Sequence, residues 1–111
     1  DLIHSAPSHL GHSVGWFEGK ELIVETTNFT QDRWGTHAGI DSSDQKHLIE
    51  RYSMSEDGLM LRVLMNVTDP IYLAQPIEID YSMDKQPDRQ LVTAPCSLEG
   101  ARLFLTGYKD E

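Results

Sequence analysis

Leu59-Met60-Leu61-Arg62-Val63-Leu64-Met65-Asn66-Val67 decides the fold class. Its odd positions form one apolar face, while Met60, Arg62, Leu64 and Asn66 form the other, which is the two-residue period of a β-strand. Immediately before it stands Ser55-Glu56-Asp57-Gly58, a strong turn signal. Residues 45–54, before that turn, alternate His47, Ile49 and Arg51 with Leu48, Glu50 and Tyr52. Two alternating runs around such a turn predict an antiparallel hairpin. With the turn centred near residue 56, Glu50 and Arg62 become cross-strand neighbours and an expected charge pair.

The same reading extends in both directions. Alternation begins at His12 and resumes after Glu18-Gly19-Lys20-Glu21, so strands are expected over 12–18 and 21–27, joined by a tight hairpin. Residues 28–44 are rich in Gly, Thr, Ser and Asp yet hold Phe29, Trp34 and Ile40, which reads as a long loop with apolar anchors. Beyond Thr68-Asp69-Pro70, where proline ends the ladder, a fifth strand is expected over 71–83, with Pro76 marking a bulge or edge. A short strand over 90–94 and a short helix over 98–105, capped by Ser97 and stopping near Gly107, complete the chain. Residues 1–11 lack a period and read as an extended leader. The expectation is one mainly β domain over 1–111: an antiparallel meander forming a curved sheet, half-barrel or small barrel, with a C-terminal helix.

Composition narrows the partners. The 111 residues carry 18 Asp and Glu against nine Lys and Arg, a net charge of −9, so attraction to a phosphate backbone is absent and nucleic acid is not an expected partner. No apolar run approaches the ~20 residues of a membrane-spanning helix, so insertion is not expected. A single cysteine, Cys96, cannot form an intramolecular disulfide or a four-thiolate zinc site. Neither a P-loop nor a dinucleotide fingerprint occurs, and no cofactor is implied.

Gly11-His12-Ser13-Val14-Gly15-Trp16-Phe17-Glu18-Gly19-Lys20-Glu21-Leu22-Ile23-Val24-Glu25-Thr26-Thr27-Asn28-Phe29 resembles a recurring segment of a family of bacterial exported β-rich proteins, read roughly as G-H-S-V-G-x-W-E-G-D-T-L-V-V-x-T-x-G-F. The likeness continues through Trp34, Gly39, His47, Glu50, Arg51 and the Asp69-Pro70 pair, and so covers about residues 11–80. Phe17 stands where that family has tryptophan, and Asn28 where it has glycine. The resemblance implies a periplasmic or secreted protein whose leader peptide is removed; it implies no activity.

Strands with one apolar and one mixed face suit a curved sheet that encloses a small molecule, or two copies that bury the second face. The expected function is therefore binding of a small apolar or amphipathic ligand, with Trp16, Trp34, Glu50, Tyr52 and Arg62 as candidate ligand-binding residues. Trp16, Phe29, Trp34 and Tyr52 offer aromatic surface, and the Arg62 fork suits a carboxylate. The competing reading is a hydrolase or isomerase in which His47 or His37 acts with a loop acid, Asp41 foremost. His47 and Glu50 have opposite strand parity, which sets them on opposite faces. A third reading is a structural subunit that self-associates, as a homodimer for instance. His4, His9 and His12 raise metal binding without matching any ligand spacing.

Overall fold

The computed structural model describes residues 6–92, 95–100 and 102. It is mainly β and antiparallel, with helix at 98–100 and 102. Among the described residues there are seven strands: β1 His12–Glu18, β2 Glu21–Thr27, β3 Asp32–His37, β4 Ile40–Ser42, β5 His47–Met54, β6 Met60–Thr68 and β7 Ile77–Asp84. Five of them form one sheet in the order β1-β2-β5-β6-β7, and β3 pairs only with β4.

The first hairpin matches its expected bounds to the residue. Glu18 pairs with Glu21 across Gly19 and Lys20, and Gly19 takes φ 61°. A two-residue connection with its first residue at positive φ follows the right-handed twist of the flanking strands, which is why glycine is favoured there.

In the second hairpin the centre differs from expectation. Met54 pairs with Leu61, and with β5 ending at Met54 and β6 beginning at Met60 the loop is Ser55 to Leu59. The Ser55 amide donates to the Met60 carbonyl at 2.9 Å. Asp57 Oδ1 accepts from Ser55 Oγ at 2.6 Å and from the Leu59 amide at 3.0 Å. These side-chain bonds favour a loop longer than the four residues of the turn signal. As a result Glu50 lies opposite Met65 and Arg62 lies opposite Ser53. The expected Glu50–Arg62 pair is thereby corrected, because the two residues point to opposite faces.

The expected loop over 28–44 contains the β3–β4 hairpin. Its sequence hides the strands because the pairing is irregular: Asp32 faces Ser42 and His37 faces Ile40, with the register shifting between them. Trp34 adopts φ 58° within that bulge, and its amide donates to Asp41 Oδ1 at 3.0 Å. The fifth run is shorter than expected: β7 begins at Ile77, Pro76 precedes it, and 69–76 is a loop. Residues 90–92 are not a strand; the rest of the expected 90–94 strand, 93–94, lies outside the described residues. Helix is present at 98–100 and 102, and the remainder of the expected helix over 98–105 also lies outside them.

The sheet does not close into a barrel. Closure would require β1 to pair with β7, and among the described residues each of these strands has one neighbour only.

Burial concentrates at the end of the sheet where β2 ends and β5 begins. Phe29, Ser42, Ser43, Thr26 and Val67 are buried there, together with Asp69 at 1% exposure. The leader joins this cluster through a Ser8–Phe29 bridge. Lys46 ties the β3–β4 hairpin down: its Nζ donates to the Gly35 carbonyl at 3.1 Å and stands 4.3 Å above the Phe29 ring. Burial lowers the Lys46 pKa, with Asp32 and Asp69 pulling the other way.

Candidate functional site

Directly paired residues share a face, so the registers sort the sheet into two surfaces. One surface carries the transverse rows Phe17-Leu22-Tyr52-Val63-Tyr81, Gly15-Val24-Glu50-Met65-Ile79 and Ser13-Thr26-Leu48-Val67-Ile77, continued by Met54-Leu61-Met83. Among the described residues Glu50 is the only charged strand residue on it. The opposite surface carries Trp16-Ile23-Arg51-Leu64-Asp80 and Val14-Glu25-Ile49-Asn66-Glu78, with His47, Ser53 and Arg62.

Glu50 sits in the middle of β5, the central strand of the sheet. Tyr52 follows two residues later on the same face, and its hydroxyl donates to Glu50 Oε2 at 2.5 Å. That bond to a carboxylate is the main reason the Tyr52 phenol is pushed up to about 12, with burial and the Glu50 charge adding to it. The phenol is therefore a proton donor throughout the physiological range. Around the pair the surface is largely apolar and only partly open: Val63, paired with Tyr52, is fully buried, while Phe17 is 72% exposed, Met54 65%, and Ile79, Tyr81 and Met83 are each at least 40% exposed. At the Met54 end the strands form a recess of about 440 Å³ lined by Met54, Leu59, Leu61, Met83 and Lys85.

The polar surface is internally paired. Arg51 donates to Glu21 at 2.8 Å and stands 3.6 Å from Glu18. Arg62 grips Asp80 with two bonds, Nε to Oδ1 at 3.1 Å and Nη2 to Oδ2 at 2.8 Å. This contact engages the fork that the sequence assigned to a ligand carboxylate, and it holds Asp80 below the ordinary carboxylate range. Between these pairs lies a groove of about 450 Å³ with Ile49 and Leu64 in its floor.

The candidate residues therefore separate. Glu50 and Tyr52 meet on the apolar face, while Trp16 and Arg62 lie on the polar one. Trp34 is exposed on β3, and Phe29 is buried beneath Lys46. His47 hydrogen-bonds Glu25 at 3.0 Å on the polar face. His37 lies exposed at the end of β3, and Asp41 caps the Trp34 amide. Hydrogen bonds thus give His47, His37 and Asp41 separate partners. His4 lies outside the described residues, His9 approaches Asp32 and Thr30 at 3.2 Å each, and His12 Nε2 is buried without a hydrogen-bond partner. Among the described residues no three His, Cys, Asp or Glu side chains converge as a metal site would require, and no helix is long and apolar enough to cross a membrane.

Sequence reasoning missed Asp69 as an anchor. Its carboxylate accepts from the Ser43 amide and hydroxyl, both at 2.7 Å, and from the amides of Ile71 at 3.0 Å and Tyr72 at 3.4 Å. The available signal was its place before proline, where an aspartate commonly accepts from amides of the following turn.

No family model, curated protein or solved structure matches the chain.

Proposed function

We propose that this chain binds a small apolar or amphipathic molecule on the apolar face of the five-stranded sheet. The observation that carries this reading is a largely apolar surface whose centre holds the hydrogen-bonded pair Glu50 and Tyr52, with a second polar pair, Ser13 and Thr26, toward its β1 end. Ligand sites are typically apolar with a few placed polar groups that fix orientation. The exposed apolar side chains of this face, Phe17, Met54, Ile79, Tyr81 and Met83, lie toward its β1 and β7 margins and its Met54 end, and clustered exposed apolar groups mark binding surfaces. Periplasmic or secreted location belongs to the same proposal, and its support is the resemblance of residues 11–80 to exported proteins. The hydrolase or isomerase reading has less support, because His47 is engaged by Glu25 on the opposite face.

Ile79→Asp tests the proposal. Ile79 is 43% exposed beside Met65 in the Glu50 row, so aspartate is tolerated by the fold while placing a second charge on the apolar face. Affinity for decanol, an uncharged alkyl probe, measured by calorimetry, is expected to fall at least tenfold, about 1.4 kcal/mol. Unchanged affinity with an unchanged melting temperature would place the ligand elsewhere.

Self-association through this face is a second reading, favoured by the high exposure of Phe17 and Met54. Native mass spectrometry separates the two, because it counts subunits and retained small molecules together.

A further inference from the structure

We infer that the ligand of this face is a cationic amphiphile, an alkylammonium whose positive head sits on Glu50 and whose tail runs toward the recess at the Met54 end. The inference rests on the ligand-binding reading above and adds the charge and direction of the bound molecule.

Glu50 is half-buried in an apolar surface and accepts one hydrogen bond, from Tyr52 to Oε2. Among the described residues no Lys, Arg or His forms an ion pair with it, whereas Glu21, Glu25, Asp32 and Asp80 each have a cationic or histidine partner. A carboxylate in such surroundings gains most from a cation that brings its own N–H donors, since the charge-assisted bond replaces hydration lost on binding. A carboxylate ligand would meet the opposite condition: the strand positions of this face supply no positive charge, and the Glu50 charge repels it.

The neighbouring row strengthens the case. Phe17, Tyr52 and Tyr81 stand in the transverse row next to Glu50, and aromatic faces attract ammonium groups through their ring quadrupoles. The net charge of −9 favours approach of a cation over an anion. From the Glu50 row to the Met54 row is four residues of strand, about 13 Å, the reach of a medium-length alkyl chain. Met54, Leu61 and Met83 receive its end in the 440 Å³ recess. Methionine is well suited to this, because its unbranched thioether adapts to a flexible chain.

Calorimetric titration of the full chain with decylammonium, decanol and decanoate tests the inference. Decylammonium is expected to bind at least about tenfold more tightly than decanoate, the margin of one charge-assisted contact. Glu50→Gln keeps an acceptor for Tyr52 and is expected to abolish that preference, bringing the decylammonium and decanoate affinities within about twofold of each other. Decanoate binding as tightly as decylammonium, for example with its head on Lys85 at the recess, would overturn the head-group assignment and keep the ligand reading. A decylammonium preference that survives Glu50→Gln would also overturn it. Binding of none of the three would overturn both. A dimer in native mass spectrometry that none of the probes dissociates would do the same, by showing a second copy on the face.

Discussion

Asp69→Ala is expected to lower the stability of the fold by about 3 kcal/mol, the cost of stranding buried donors that a carboxylate now satisfies. The carboxylate joins two segments far apart in the chain, the start of the β4–β5 connection at Ser43 and the loop after β6 at Ile71 and Tyr72. At 1% exposure, water does not readily replace it. Chemical denaturation measures the loss, and a change below about 1 kcal/mol would show that the cluster relaxes to let water in.

The same residue predicts a pH dependence. Burial pushes the Asp69 pKa up, but the bonds from Ser43, Ile71 and Tyr72 together outweigh it and hold the group below its ordinary value of 3.8. A carboxylate whose folded value is depressed binds fewer protons in the native state than in the unfolded one. Its stabilisation is thus complete above 3.8 and drains away as the pH falls through the lower folded value. Asp69→Asn is expected to flatten this acid limb of the stability profile. An unchanged slope would assign acid unfolding to other carboxylates.

Gly11→Ala is expected to cost about 3 kcal/mol, by adding left-handed backbone strain to overpacking. Gly11 has φ 69°, and a Cβ there would lie 2.6 Å from the Thr27 carbonyl oxygen and 2.9 Å from both Phe29 Cε1 and Thr26 Cγ2. The first of these neighbours is backbone inside the β1–β2 pairing and yields only if the ladder moves. Gly19→Ala separates the two contributions: its φ is 61° but its Cβ would meet nothing within 4 Å, so only the conformational part, about 1 kcal/mol, is expected. Equal losses in the two variants would show that packing at Gly11 contributes nothing.

The two-residue period made the sheet legible. It located β1 and β2 to the residue and sorted β5 and β6 correctly into faces, because side chains alternate whatever the tertiary context. It could not set the register between β5 and β6, which depends on how Asp57 and Ser55 fold the intervening loop. The misplaced centre had a large effect on the site: it joined Glu50 to Arg62 and obscured the fact that Leu48, Glu50 and Tyr52 continue the apolar surface of Leu61, Val63 and Met65. The β3–β4 hairpin escaped detection for a different reason. Its bulge around Trp34 breaks alternation, and its anchors, Lys46 on Phe29 and Asp69 on Ser43, are long-range contacts with no local signature. Glu50 and Tyr52 were both visible as candidates; their partnership was not, since it required knowing that the rest of their face is apolar.

An open sheet has two borders, and among the described residues they lie along β1 and β7. Each offers a ladder of amides and carbonyls to any passing strand, the condition from which fibrous assemblies grow. β7 carries Glu78, Asp80 and Asp84 along that border, and β1 ends in Glu18. Stacking of molecules through their β7 borders therefore confronts acid with acid, so the surplus of negative charge keeps neighbouring molecules from zipping together at the rim.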